Sequence, residues 1–120
     1  MRYVNLTPHT VVLLNEQNDV AEVVPSTGLA SVAPITKAMP SLSSANGNVP
    51  LALVGFGAVS GIPAPQDGVL YIVSALVAGR AGRDDVASPG QCPVGGHKGC
   101  PACRDEQGKQ KACHGLALPL

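Results

Sequence analysis

Prolines and glycines recur along the whole 120-residue chain and restrict it to a β-rich fold. Eleven prolines and fourteen glycines are present. Proline removes a backbone donor and glycine weakens helices, so a helical bundle or coiled coil is excluded. The only aromatic residues are Tyr3, Phe56 and Tyr71, so the core must be built from Val, Leu, Ile and Ala. The sequence predicts one small, compact, mainly β domain, sheet-like or barrel-like, which a metal or an oligomer partner would help to stabilise.

Charge is scarce and balanced. Eight basic residues match eight acidic ones, which argues against general electrostatic binding to nucleic acid or anionic lipid. Between residues 23 and 66 the only charged side chain is Lys37. A solvated loop of this length would carry more charge, so we expect part of it to be buried against the domain or another subunit. A homo-oligomer is therefore predicted.

The uncharged stretch at residues 38–66 is long enough to cross a membrane, but four prolines and four glycines exclude a transmembrane helix there. The first residues reach Asn, Thr and Pro before any apolar run forms, so no export signal is expected. A cytoplasmic protein is predicted. In a reducing compartment, cysteines bind metals more readily than they form disulfides.

Several segments have the composition of strands. Residues 10–14 and 20–24 are β-branched runs around a polar turn, which predicts a hairpin. Residues 29–32 and 69–73 predict two further strands. Ser74 then precedes an apolar run that predicts a short helix near residues 74–79, capped by the Ser74 side chain and ended by glycine.

All four cysteines fall between residues 92 and 113. Cys100 and Cys103 form a Cys-x-x-Cys pair, in which a tight turn places two thiolates on one side of the backbone. Four thiolates make a closed tetrahedral shell, which is typical of structural zinc and contributes to folding. The sequence therefore predicts a structural Zn²⁺ site formed by Cys92, Cys100, Cys103 and Cys113, with His97 or His114 as alternative ligands.

Other roles for the cysteines fit less well, although iron stays open as an alternative to zinc. A redox Cys-x-x-Cys pair normally begins a helix after a strand, whereas this pair is surrounded by proline and glycine. Two disulfides would need an oxidising compartment. A zinc deaminase needs His-x-Glu, and no histidine of this chain is followed two positions later by Glu.

Several short motifs are spread along most of the chain. Asn-Leu-Thr-Pro-His lies at residues 5–9 and Tyr-Ile-Val-Ser at residues 71–74. The other segments of the set are residues 68–70, 83–86, 88–90 and 104–108. Together these motifs resemble a family of small proteins encoded by phages, prophages and actinobacterial genomes. The resemblance implies a phage setting, and hence the host cytoplasm, but supplies no catalytic residues.

This chain departs from the family pattern at its cysteine loop. Relatives pass quickly from the Pro-Gly segment at residues 89–90 to the Arg-Asp hairpin, whereas here residues 92–103 intervene. We therefore expect residues 1–91 to form a β body and residues 92–115 to add a zinc-binding loop and hairpin within one domain.

The sequence shows no Ser-His-Asp or Cys-His arrangement around its three histidines, so an enzyme is not expected. The sequence predicts a non-enzymatic phage accessory protein that binds a host protein. One alternative is a sponge that sequesters a nucleotide-type immune signal, with His9, Arg80 and Arg83 as contacts. Another is a nucleic-acid-binding zinc module that uses Lys98, Arg104, Lys109 and Lys111.

Overall fold

The structure, a computed structural model, describes residues 1–90, 112, 113 and 115–119. Across these residues the chain forms eight strands and one short helix. In chain order they are β1 (Arg2–Asn5), β2 (Val11–Leu14), β3 (Val20–Val24), β4 (Ser31–Ser44), β5 (Gly47–Ser60), β6 (Val69–Ile72), α1 (Ala75–Ala81), β7 (Val86–Pro89) and β8 (Leu116–Ala117). The mainly β prediction is confirmed.

A four-stranded sheet forms the centre of the body, in the order β1-β6-β7-β8. The first three strands are parallel, and β8 pairs antiparallel with β7. Helix α1 connects β6 to β7, as parallel neighbours require a crossover. The sheet is open, and the other described strands form two separate hairpins, so no closed barrel is present among the described residues.

The core lies on both faces of this sheet because successive side chains of β6 point in opposite directions. Tyr71 and Val73 face a cluster that includes Val77 of α1 and Leu6. Ile72 faces a second cluster with Leu13 and other side chains of the β2–β3 hairpin. Strand β6 is therefore covered on both faces, which explains why its sequence is a continuous apolar run.

The β2–β3 hairpin and the helix match the sequence predictions closely. The hairpin pairs Val11 with Val24, and the Asn15 side chain stabilises its turn by accepting hydrogen bonds from two backbone N–H groups. The Ser74 side chain accepts a hydrogen bond from the Val77 N–H at 3.3 Å. The helix ends at Gly82, whose φ of 63° favours glycine.

Strands β4 and β5 form a long antiparallel hairpin, which we call the arm. Each strand has 14 residues, so the arm is about 48 Å long at 3.4 Å per residue. The Cα radius of gyration is 18.3 Å, whereas about 14 Å is typical of a compact domain of this length. The molecule is thus less compact than its sequence predicts.

No helix in the described ranges combines the length and apolar character that a membrane span needs. The predicted zinc loop and hairpin at residues 92–115 fall outside the described residues except for Ala112, Cys113 and Gly115.

Candidate functional site

An exposed apolar surface runs along one face of the arm. In the register of the hairpin, Met39 lies opposite Leu51 and Leu42 lies opposite Val49. Residues directly opposite each other share a face, as do residues two apart on one strand. This places six large apolar side chains, each between 36% and 56% exposed, on a single face. We call this set the stripe: Ile35, Met39, Leu42, Val49, Leu51 and Leu53.

The opposite face of the arm packs on the body at its base. Val32 and Val59 contact the core cluster beneath α1. Phe56 lies opposite Pro34, and the Arg80 guanidinium sits 5.5 Å from the centroid of the Phe56 ring. Because this face points toward the body, the stripe points away from it.

The loop after β1 is held by a buried asparagine. Asn5 is fully buried, and its Nδ2 donates to the carbonyl oxygens of His9 and Val24, both at 2.8 Å. Its Oδ1 accepts from the Thr7 N–H at 2.9 Å and from the Thr7 hydroxyl at 2.6 Å. The Asn5 side chain thus closes the loop on itself and ties it to β3, which fixes the backbone at His9.

His9 lines a cavity of about 360 Å³ at the carboxyl ends of the parallel strands. Thr7 and Thr10 line it from the loop after β1, Ser74 from the end of β6, and Pro89 from the end of β7. Loops at the carboxyl ends of parallel strands are where open α/β sheets bind ligands. The volume lies in the range of small-molecule sites. The cavity can therefore accept a small ligand beside hydroxyl groups and one imidazole.

Arg83 is engaged in a short ion pair. Its Nη2 and Nε donate to the two carboxylate oxygens of Asp85 at 2.6 and 2.8 Å, and its Nη1 donates to the Pro63 carbonyl. The guanidinium also lies 5.6 Å from the centroid of the Tyr71 ring. The hydrogen bonds from Arg83 hold the pKa of Asp85 below its usual value and raise that of Arg83, against the opposing effect of burial.

The two cavities lined by described residues do not bring the three predicted ligand contacts together. His9 lines the cavity described above, and Arg83 lines a different one of about 340 Å³ with Asp84 and Leu118. Arg80 lines neither and stacks on Phe56. An anion bound by Arg83 would have to compete with Asp85 for the same fork of donors.

Cys113 is the one predicted metal ligand inside the described residues. It is buried beside Leu13 and Ile72, and its backbone pairs with β2 through the Val12 carbonyl and the Leu14 N–H. Within the described residues, no three His, Cys, Asp or Glu side chains are grouped as metal ligands. The other predicted ligands lie outside the described residues, so the zinc site stays a prediction: Cys92, Cys100, Cys103, His97 and His114.

The basic residues proposed for nucleic-acid contact also lie outside the described residues: Lys98, Arg104, Lys109 and Lys111. The stripe, by contrast, was not identified from the sequence. Its signal is the alternation of large apolar residues at Val49, Leu51 and Leu53, which is typical of one face of a strand.

No family model, curated protein or solved structure matches the chain. The resemblance to phage and prophage proteins stays a prediction.

Proposed function

We propose that the chain is a non-enzymatic binding protein whose arm holds a protein partner against the stripe. The observation that carries this proposal is the row of six exposed apolar side chains on one face of a 14-residue hairpin. Soluble proteins rarely leave a contiguous apolar surface of several hundred Å² in water unless it binds something. In the phage setting that the resemblance implies, a host protein is one such partner.

The construction of the arm supports this proposal. A two-stranded hairpin without further cover is marginally stable in water. The described contacts cover only the base of the arm, where α1 approaches both of its strands. The outer half carries Met39, Leu42 and Leu51 with no described element packed on them. A bound partner supplies the burial that the arm lacks.

Site-specific photo-crosslinking tests the proposal. A photoreactive residue replaces Leu51 on the stripe, and the matched control replaces Leu76, an exposed leucine on α1. In cells that produce the protein, we expect the Leu51 position to give an adduct of discrete mass that Leu53→Ser removes. Equal labelling from the two positions, or no discrete adduct from the stripe, would contradict the proposal.

A second candidate function is sequestration of a nucleotide-type ligand in the His9 cavity. The observation in its favour is the position of that cavity at the carboxyl ends of β1, β6 and β7, with a fixed loop beside it. A bound ligand raises the melting temperature of the protein that binds it. We expect cyclic and linear nucleotides to raise the melting temperature by different amounts, and His9→Ala to reduce the shift. If no nucleotide shifts the melting temperature, this candidate function is excluded.

In either function the predicted zinc is structural. We expect about one equivalent of zinc per chain in protein prepared under reductant, and its loss in the variant with both Cys100→Ser and Cys103→Ser. If the cysteine loop is an addition to the β body, as the sequence predicts, the thermal unfolding of the body should change little. Substoichiometric metal together with four reactive thiols would contradict the zinc site.

A further inference from the structure

The stripe is one continuous face in spite of two irregularities in the arm. The register shifts between Val32 and Pro34, and again between Met39 and Leu42. At the second shift β4 advances three residues while β5 moves by two, from Leu51 to Val49. The extra residue is taken up as a bulge, so Leu42 returns to the face that carries Met39.

The edges of the arm are poorly suited to pairing with another strand. Proline has no N–H to donate, and it is tolerated in sheets mainly at edges and bulges. Pro34 and Pro40 lie in β4, Pro50 lies in β5, and two of these prolines border the register shifts. Interrupted edges of this kind disfavour edge-to-edge pairing. The face of the arm, rather than its edge, is therefore the surface available for association.

The face is large enough for a weak dimer. A two-stranded ribbon 14 residues long and about 10 Å wide presents about 500 Å² on one side. Two arms that overlap antiparallel, centred on Met39 and Leu51, share about eleven residues of each strand, so together they bury about 750 Å², an area typical of weak, transient interfaces. The chain as a whole has 8096 Å² of accessible surface, compared with about 6,000 Å² for a compact monomer of its mass. The arm supplies part of that excess.

The charge on the stripe face fits an identical surface. Lys37, opposite Leu53, is the only charged residue in β4 and β5, and neither strand contains an acidic residue. A strongly charged partner would find no complementary charges there, whereas homodimer interfaces are more apolar than other protein interfaces and poor in charged residues. The partner that covers the stripe must also be present whenever the chain folds. A second copy meets this condition because it is made together with the first.

We propose that the stripe packs against the stripe of a second copy, with the two arms antiparallel about a twofold axis near Met39 and Leu51. This proposal rests on the proposed function, since it names the partner of the same surface. The antiparallel arrangement places Lys37 of each copy near Leu42 of the other. The two Lys37 positions then lie about 14 Å apart along the arm, and the long lysine side chains can extend to solvent at the edge of the face.

Charge-pair variants of the full chain test this arrangement. The wild type should elute with twice the 12.1 kDa chain mass when measured by light scattering. Leu51→Lys places like charges at the axis, so we expect at least tenfold weaker self-association, and the same for Leu51→Glu. Mixing the two variants should restore a dimer that contains one copy of each. The matched control is Leu29→Lys, an exposed leucine outside the arm, which should leave the dimer intact.

Each other outcome overturns the arrangement. A wild type that stays monomeric at about 100 μM, or a dimer that Leu51→Lys leaves unchanged, excludes self-association through the stripe. Failure of the mixed variants to pair excludes the twofold axis at Leu51, and far-UV circular dichroism shows that both variants are folded. A monomeric wild type that still crosslinks from Leu51 to another protein keeps the proposed function and removes only the second copy.

Discussion

At the scale of single residues, Asn5 shows why a buried polar group is tolerated here. Both Nδ2 hydrogens are donated to main-chain carbonyls and Oδ1 accepts two hydrogen bonds from Thr7. A buried polar side chain with its partners in place costs little, whereas one left without them costs about 1–3 kcal/mol for each group. The Asn-Leu-Thr-Pro-His motif at residues 5–9 thus has a structural role, because its asparagine fixes the loop before β2.

Asn5→Asp removes both donors and places a carboxylate against two carbonyl oxygens. We expect the free energy of unfolding to fall by about 3 kcal/mol or more at pH 7. Burial raises the pKa of the introduced carboxyl, so its penalty is smallest at low pH and grows as pH rises. Denaturant titrations at pH 7 and pH 4 measure both effects.

The matched control is Asn15→Asp in the exposed turn of the β2–β3 hairpin. There the Asn15 Oδ1 only accepts hydrogen bonds, which a carboxylate does equally well. This variant should change stability by less than about 0.5 kcal/mol. If Asn5→Asp and Asn15→Asp lower the free energy of unfolding equally, the two hydrogen bonds donated by Asn5 make no specific contribution to stability.

The Arg83–Asp85 pair predicts a pH dependence. Because the pKa of Asp85 is lowered in the folded state, the pair stabilises the protein above the unfolded-state pKa of about 3.9. This contribution is lost as pH falls through the folded-state pKa of Asp85. The stability difference between wild type and Asp85→Asn should therefore be constant near neutral pH and shrink in acid. In an Arg83→Gln background the dependence should disappear, and its persistence would contradict the assigned cause.

At the scale of secondary structure, the sequence predicts the elements that depend on neighbouring residues and does not predict the long-range strand pairing. The Ser74 cap and the β2–β3 hairpin depend on residues close in sequence, so composition and turn chemistry predict them. Strand β1 pairs with β6 across more than sixty residues, and no local pattern reports such a partner. The parallel sheet was missed for that reason.

The sequence does not predict the arm as one long hairpin. Pro34, Pro40 and Pro50 lie inside long strands, where proline is uncommon. The hairpin accommodates two of them by shifting register beside them. The lack of charge at residues 23–66 did predict a need for cover, although the described structure leaves the stripe exposed within one chain.

Gly61 tests how the arm joins the body. Its φ is 89°, and a Cβ at this position would lie 2.3 Å from the Leu29 carbonyl oxygen. Gly61→Ala should therefore lower the free energy of unfolding by about 2–4 kcal/mol. Gly68→Ala is the control, because Gly68 has a φ of 72° but no atom within 4 Å of the added Cβ. It should cost only about 1–2 kcal/mol, and denaturant unfolding compares the two.

If the two glycine variants lose equal stability, backbone strain alone accounts for both, and close packing at the base of the arm contributes nothing.

At the scale of the whole molecule, a small two-sided body carries an arm nearly as long as the molecule itself. The longest axis measures 56 Å, and the arm extends for about 48 Å. The body has a core on both faces of its sheet, whereas among the described residues no core cluster includes the outer arm. This difference between the body and the arm is the basis of the proposed binding function.

Amide hydrogen exchange of the arm, measured on the full chain at the concentration used for light scattering, tests the central claim most directly. If the stripe is covered by protein, the cross-strand amides of residues 49–54 should be protected to within about a factor of ten of those in β6. Exchange of these amides within seconds at neutral pH, while β6 stays protected, would show an uncovered arm and contradict the account.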